Sequence, residues 1–312
     1  MNELSVASYM AQYKARCCEC PSRISTGYKK LDILLSGGLT NELYVLGAET
    51  STGKSAISLT IAHNIAMQPD TEVLYFALEM SVDEIIARGV SAISYECQCK
   101  DEINNQAVTV PDQLYMSYDN HIGDFTRMPY GKFAKYIDIY EKRYCNNMYI
   151  IEGGAKGITA QEIYKCAEKH KRSGKKVVVF VDYLQLIKSD STSTDRKNKV
   201  DDAVMKLKGL ALEQRIPVFL ISSVGRSNYS GKVQTSSYKE SGDTEYTGGV
   251  LIGWNWKGVT DTAKQEDCEN EKKLCKNRGY RFMTFNILKN RNGERDTEVT
   301  FKYYPAYNYF SV

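Results

Sequence analysis

Gly53-Lys54-Ser55 closes the stretch GAETSTGKS at positions 47–55, directly after the apolar run Leu43-Tyr44-Val45-Leu46. These residue types in this order suit a polyphosphate. Consecutive backbone N–H groups at the start of a helix point at an anion, and the helix dipole adds to their pull. Lys54 would reach the outer phosphates, and the Ser55 hydroxyl would hold Mg²⁺. Gly53 is expected where a Cβ would strike phosphate. The pattern G-x-x-x-x-G-K-[ST] asks for glycine at 48, where the chain has Ala48. Alanine is tolerated there if its φ is negative, because the special freedom of glycine is then unused. The residues expected around the nucleotide are therefore Ala48, Glu49, Thr50, Ser51, Thr52, Gly53, Lys54, Ser55 and Ala56.

Hydrolysis needs three further parts. One is a carboxylate at the end of a neighbouring strand, to hold Mg²⁺. Asp182, which ends Val177-Val178-Val179-Phe180-Val181, fits, although an apolar run ending in Asp is common. The second is a base that orients water. Tyr183 follows Asp182, so the base comes from elsewhere. Glu79, after the strand Val73–Leu78, lies on the same carboxyl edge of a parallel sheet. Its bland role is a charge near a helix N-terminus. The third is a cation for the γ-phosphate. Arg291, in Lys289-Asn290-Arg291-Asn292-Gly293, is the candidate, and in a ring of subunits it could serve the neighbour's site. Taken alone, this stretch reads as a basic hairpin turn.

Strands that alternate with helices must place these groups, which predicts a parallel sheet with crossover helices. Ile57, Ile61 and Ile65 mark a helix after the loop. Ser81-x-x-Glu84 and Thr159-x-x-Glu162 read as capping boxes. Residues 97–147 begin polar and irregular and then give a helix with Phe133, Tyr136, Ile137, Tyr140 and Tyr144, a stripe more often core than base-binding. The basic cluster Lys165, Lys169, Lys171, Arg172, Lys175 and Lys176 reads as a solvated helix end. A long helix over 197–215 leads to the strand Pro217–Ser222. Residues 225–249 are expected to be mobile loops and 257–280 a solvated charged insert. Val250–Trp256, Arg281–Leu288 and Glu298–Tyr303 follow without helices between them, so an antiparallel edge is expected.

Composition bounds the function classes. The chain has 312 residues, 41 Lys+Arg against 38 Asp+Glu, and a net charge of +3. The electrostatic case for a polyanion partner is weak over the whole molecule, so a nucleic-acid site must be local. No stretch is long and apolar enough for a membrane span, and the N-terminus lacks a secretory core, so a cytoplasmic location is the default expectation. The 9 cysteines and 3 histidines lack the spacing of a common zinc site. An odd cysteine count argues for reduced thiols rather than a disulfide framework.

At this point the chain resembles the C-terminal motor domain of the DnaB family of replicative hexameric helicases. The resemblance runs from about residue 23 to the end. Ser25-Thr26-Gly27-Tyr28-Lys29-Lys30-Leu31-Asp32 with Ser36-Gly37-Gly38-Leu39 is similar to the family's entry segment. Phe76-Ala77-Leu78-Glu79-Met80 is similar to the segment that carries its catalytic glutamate, and Asp182-Tyr183-Leu184-Gln185-Leu186 to its Mg²⁺ strand. The family commonly has alanine where Ala48 stands. The resemblance implies an α/β, RecA-like P-loop fold: a mainly parallel twisted sheet flanked by helices, with antiparallel strands at the C-terminal edge. It implies ATP and Mg²⁺ as cofactors and a homo-oligomeric, hexameric ring around single-stranded DNA. Lys239-Glu240-Ser241-Gly242 resembles the channel loop, so Lys239, Glu240 and Gly242 are its DNA-binding residues. Lys289 and Arg291 resemble its trans-acting pair. Ser223 and Arg226 occupy the sensor stretch, where the family has glutamine at the position of Ser223. Tyr246-Thr247-Gly248-Gly249 replaces part of a stretch that is usually acidic. The family's N-terminal, primase-binding domain has no counterpart before residue 23, so residues 1–22 are expected to be an arm or linker helix and 23–312 the motor. Any loader or primase partner is not legible.

Two functions compete. One is an ATP-dependent DNA helicase or translocase of a phage or mobile-element type. The other is a nucleotide-gated DNA-binding or scaffold ATPase derived from it, without unwinding; the short Ser223 side chain motivates that alternative. A recombinase or clock-type relative ranks last, because those families lack the Asp-Tyr-Leu-Gln-Leu strand.

Overall fold

The structure, a computed structural model, describes residues 5–18, 23–100, 106–119, 124–154, 156–189, 196–224, 232–238, 247–257, 270, 273–275, 277–291, 293–295 and 297–312. Arg226, Lys239, Glu240, Ser241, Gly242 and Tyr246 lie outside the described residues.

Helix α1 (Val6–Cys18) is largely exposed, with Val6, Met10 and Tyr13 facing solvent. Helix α2 (Lys29–Leu34) precedes β1 (Leu43–Ala48), and α3 (Lys54–Ala66) follows the loop. Next come β2 (Thr71–Ala77), α4 (Val82–Lys100), α5 (Val110–Leu114), the small hairpin β3 (Ser117–Asp119) and β4 (Asp124–Thr126), and α6 (Ala134–Tyr144). Then follow β5 (Met148–Glu152), α7 (Ala160–Lys171), β6 (Lys176–Asp182), α8 (Arg196–Glu213) and β7 (Val218–Ser223). The chain closes with β8 (Val250–Trp256), β9 (Arg281–Asn290), β10 (Thr297–Tyr304) and β11 (Tyr309–Ser311).

The main sheet has the order β11-β10-β9-β8-β1-β7-β6-β2-β5. Strands β8, β1, β7, β6, β2 and β5 pair parallel. Strands β9, β10 and β11 add on antiparallel. The sheet is thus mixed, mainly parallel, as expected. The antiparallel edge starts one strand later than the sequence suggests: β8 runs parallel to β1 and turns antiparallel only against β9. The alternation of strand and helix lapses between β7 and β8 in the sequence pattern, which is why β8 reads like an edge strand.

Alternation splits the core. Tyr44 and Leu46 of β1 face one side with Tyr75, Phe180 and Phe219, under α3, α4 and α6. Leu43 and Val45 face the other with Phe76, Val179 and Leu220, under α7 and α8. Helix α3 is buried on nearly every side, so it sits between the sheet and the outer helices rather than at the surface. The aromatic stripe of α6 is core: Tyr136, Tyr140 and Tyr144 are buried.

Both capping boxes form. The Ser81 N–H donates to Glu84 Oε2 at 3.0 Å, and the Glu84 N–H donates to Ser81 Oγ at 3.2 Å. Thr159 and Glu162 close the second box. The polar stretch from 97 starts inside a helix, since α4 runs on to Lys100. The basic end of α7 is anchored at the amino edge of the sheet: His170 and Lys175 meet Glu72 at 2.9 and 3.3 Å. It stands away from the phosphate loop, as a solvated helix end.

The 225–249 stretch departs from its expected mobility. Within the described 232–238, Val233, Ser237 and Tyr238 are buried. Their burial against β8 outweighs the loop-like composition. In the 257–280 insert, Cys275 is buried, whereas 258–269 lies outside the described residues.

His63 on α3 is enclosed against Tyr140, whose hydroxyl is 3.3 Å from Nε2, and stacks on Tyr144 at 4.4 Å. Desolvation pushes its pKa from 6.5 down to about 3. Between these values the unfolded chain binds the extra proton and the native chain does not. Stability is therefore complete above the upper value and falls as pH drops, by about 1.4 kcal/mol per pH unit. Urea unfolding at pH 7 and pH 5 should differ by roughly 2 kcal/mol on this account. His63→Phe should shrink that difference; an unchanged pH dependence would refute it.

Candidate nucleotide-binding site

Strand β1 is buried along its whole length and ends at Ala48, so the loop leaves the sheet at a fixed point. Positive φ occurs in the loop at Ser51 (61°) and Gly53 (92°), and Ala48 is not among such residues. That meets the condition for alanine in the first position. The role of Gly53 differs in detail from expectation. A Cβ there would come 2.6 Å from the Tyr303 ring, and its left-handed φ is itself costly for other residues. The protein's own aromatic wall, together with the backbone, therefore excludes a side chain.

Side chains from distant strands clamp the loop. Trp254 Nε1 donates to the Thr52 carbonyl at 3.1 Å, and Arg281 Nη2 donates to the Ser51 carbonyl at 3.2 Å. The Thr52 hydroxyl donates to the Glu49 carbonyl at 2.7 Å. Gly53 stands at the N-cap of α3 without a side-chain cap, and the first turn carries no acid. The N–H groups at that helix end are thus left for an anion.

Asp182 ends β6, and β7 separates β6 from β1. The carboxylate expected on a neighbouring strand is therefore one strand further away, and it reaches the loop through Ser55. Asp182 is 1% exposed. Its Oδ2 accepts from the Tyr75 hydroxyl at 3.1 Å, and its Oδ1 has no partner among the described residues. Burial raises its pKa, as does Glu79, while Ser55, Tyr75 and Lys54 act in the opposite direction. A buried carboxylate oxygen without a partner, beside a serine hydroxyl, is a donor set that fits a hard divalent cation.

Glu79 is brought to the same place by the backbone. The Leu78 N–H donates to the Asp182 carbonyl at 2.8 Å, which fastens the end of β2 to the end of β6. Glu79 is exposed and lines a cavity of about 720 Å³ together with Lys54, Ser55, Ala56, Tyr183 and Ser223. Lys54 is 8% exposed, with Nζ 5.9 Å from the Tyr183 ring centroid. Desolvation lowers its pKa, against the pull of Asp182 and Glu79.

The cavity joins Thr50, Ser51, Gly53, Lys54, Ser55, Ala56, Glu79 and Ser223. Glu49 and Thr52 line a second cavity, of about 570 Å³, on the other flank of the loop. Ser223 is held by Gln185, whose Nε2 donates to the Ser223 carbonyl and the Ser222 hydroxyl, each at 3.1 Å. Arg291 is not brought to its own loop. Its N–H donates to the Gly249 carbonyl at 3.3 Å, and the Gly249 N–H donates to the Leu43 carbonyl at 3.1 Å. It sits at the amino edge of β1, whereas the loop leaves the carboxyl edge. Lys289 lies on the same stretch, paired with Leu251.

Two arginines of the cavity wall escaped the sequence reading. Arg88 on α4 donates from Nη1 to Asn308 Oδ1 at 3.1 Å, and its Nε is buried without a partner among the described residues. Its signal is an arginine three residues after the buried Ile85 on a helix face that should be apolar. The Arg281 guanidinium lies 4.7 Å from the Trp256 ring centroid and 4.8 Å from that of Tyr303, and it lines both cavities. Its contacts join three strands and the loop, so no local pattern announces it.

The model of the DnaB-like helicase C terminal domain matches residues 23–312. The replicative DNA helicase DnaC of Bacillus subtilis (strain 168) is 28% identical over 233 residues, which covers 73% of this chain and 46% of that protein. The replicative DNA helicase DnaB of Geobacillus stearothermophilus is 27% identical over 292 residues, 92% of this chain and 56% of that protein. The chain spans about half the length of the curated relatives it matches. Among solved structures, one isolated ATPase domain superposes with a TM-score of 0.71 at 21% identity, covering 99% of both chains. A DnaB-like replicative helicase, solved in a study of its interactions with primase, gives 0.73 at 20% identity over 98% of this chain and 67% of that one.

Proposed function

The chain belongs to the family of the DnaB-like helicase C-terminal domain, and on that basis we propose that it is an ATP-dependent DNA helicase or translocase motor. Its RecA-like sheet carries the site at one carboxyl edge. Lys54 and the open N-terminus of α3 bind the phosphates. Ser55 and Asp182 are the residues that would hold Mg²⁺, which would supply neutralisation of phosphate charge. Glu79 orients and polarises the attacking water. Ser223 and Arg226 belong to the sensor stretch. Lys289 and Arg291 act on the neighbouring subunit's nucleotide in a hexameric ring. Lys239, Glu240 and Gly242 hold single-stranded DNA in the channel. Residues 1–22 serve as an N-terminal arm or linker, with α1 (Val6–Cys18) inside it, and 23–312 as the motor, working in the cytoplasm.

The observation that carries this reading is the buried, half-satisfied Asp182 beside Ser55, with Lys54 and Glu79 within electrostatic reach. The large majority of buried side-chain polar atoms are paired, so an unpaired carboxylate oxygen here points to a ligand. Strand displacement on forked DNA with ATP and Mg²⁺ tests it. The expected result is unwinding that stops without either. Turnover of ATP with no displacement would instead favour the nucleotide-gated binding protein, and no nucleotide binding at all would end both readings.

A further inference from the structure

Tyr238 is 2% exposed and ends the 3-10 turn Thr235–Tyr238. Its hydroxyl accepts from the Gly47 N–H at 2.8 Å and donates to the Ile252 carbonyl at 2.6 Å. Gly47 is the last residue of β1 before Ala48. Ile252 is on β8, the parallel neighbour of β1, where the register against β9 slips between Leu251 and Ile252. One hydroxyl thus bridges two adjacent strands at the root of the phosphate loop. It also explains the glycine at 47: a Cβ there would lie 2.4 Å from the Tyr238 hydroxyl oxygen.

The segment that carries Tyr238 is fixed by contacts of its own. The Val233 N–H donates to Asn255 Oδ1 at 2.7 Å, and the Gln234 N–H donates to Ser237 Oγ at 3.0 Å. Val233 is buried in the same core. The turn is therefore a short, packed lever. One end is the hydroxyl on Gly47, and the other is the peptide bond to Lys239. The Ser223 backbone, by contrast, is already engaged by Gln185 on both its N–H and its carbonyl.

We propose that the Tyr238 hydroxyl is a positioning device that couples single-stranded DNA held from residue 239 onward to nucleotide held on the loop that starts at Gly47. The inference rests on the function proposed above. Coupling of this kind is reciprocal: nucleotide must change DNA affinity by the same factor as DNA changes nucleotide affinity.

Tyr238→Phe keeps the ring and removes the bridge. The affinity of the full chain for a labelled oligothymidylate is measured with and without a non-hydrolysable ATP analogue and Mg²⁺, and analogue affinity with and without the oligonucleotide. Wild type should give one coupling factor from both directions, within about 5–150-fold. In Tyr238→Phe the factor should fall to about 1–2 from both directions. Gly47→Ala, which pushes the hydroxyl away, should lower it likewise, and it decides the matter if Tyr238→Phe does not fold. A Tyr238→Phe protein with a lower thermal midpoint but an unchanged factor has lost only packing, and that result overturns the inference alone. A wild-type factor of one overturns the proposed function and the inference together.

Discussion

Replacing Arg291 with alanine is expected to lower ATP turnover by about 10³–10⁵-fold while nucleotide binding survives. The backbone fixes where this arginine can act. Arg291 bonds to Gly249, and Gly249 bonds to Leu43, the first residue of β1. The phosphate loop leaves the other end of that strand. Five steps of roughly 3.3 Å separate the two ends, too far for an arginine side chain to fold back. A cation working on phosphate from this position works on a second subunit. Mixing gives the decisive measurement. Arg291→Ala subunits keep Glu79, and Glu79→Gln subunits keep Arg291, so each preparation is inactive alone. In a mixed ring, up to about one quarter of the interfaces join an intact glutamate to an intact arginine. Turnover should return on mixing. If Arg291→Ala alone turns ATP over normally, or if mixing restores nothing, the trans assignment fails.

Glu79→Gln should cost about 10²–10⁴-fold in the hydrolytic step. The change removes a charge and keeps the shape, so packing is left alone. Glu79 is exposed at the cavity wall, and the Leu78–Asp182 backbone bond holds it beside Asp182, the carboxylate proposed to hold Mg²⁺. Its negative charge acts on both Lys54 and Asp182. Glutamine cannot take a proton from water, but it relieves repulsion against the phosphates. Nucleotide affinity is therefore expected to hold or improve as turnover collapses. Single-turnover hydrolysis with equilibrium binding of a fluorescent nucleotide separates the two effects. Hydrolysis within about fivefold of wild type would remove Glu79 as the base.

The sequence by itself determined which candidate groups are present and their order along the chain. Gly53-Lys54-Ser55, the strand ending in Asp182 and the strand before Glu79 were legible because each is a local device: a loop after a β-strand, a carboxylate after an apolar run. Helix caps at Ser81 and Thr159 were legible for the same reason, since their partners lie three residues away. The tertiary structure alone decided which groups meet. It set β7 between β1 and β6, ran β8 parallel to β1, placed Arg281 between Trp256 and Tyr303, and turned a loop-like segment into the buried support of Tyr238. The physical reason is separation along the chain: the Gly47–Tyr238 bond spans 191 residues and the Arg281–Ser51 bond 230. No periodicity encodes such contacts. They form because a sheet brings strand ends to one edge, and buried donors and acceptors must then find partners there.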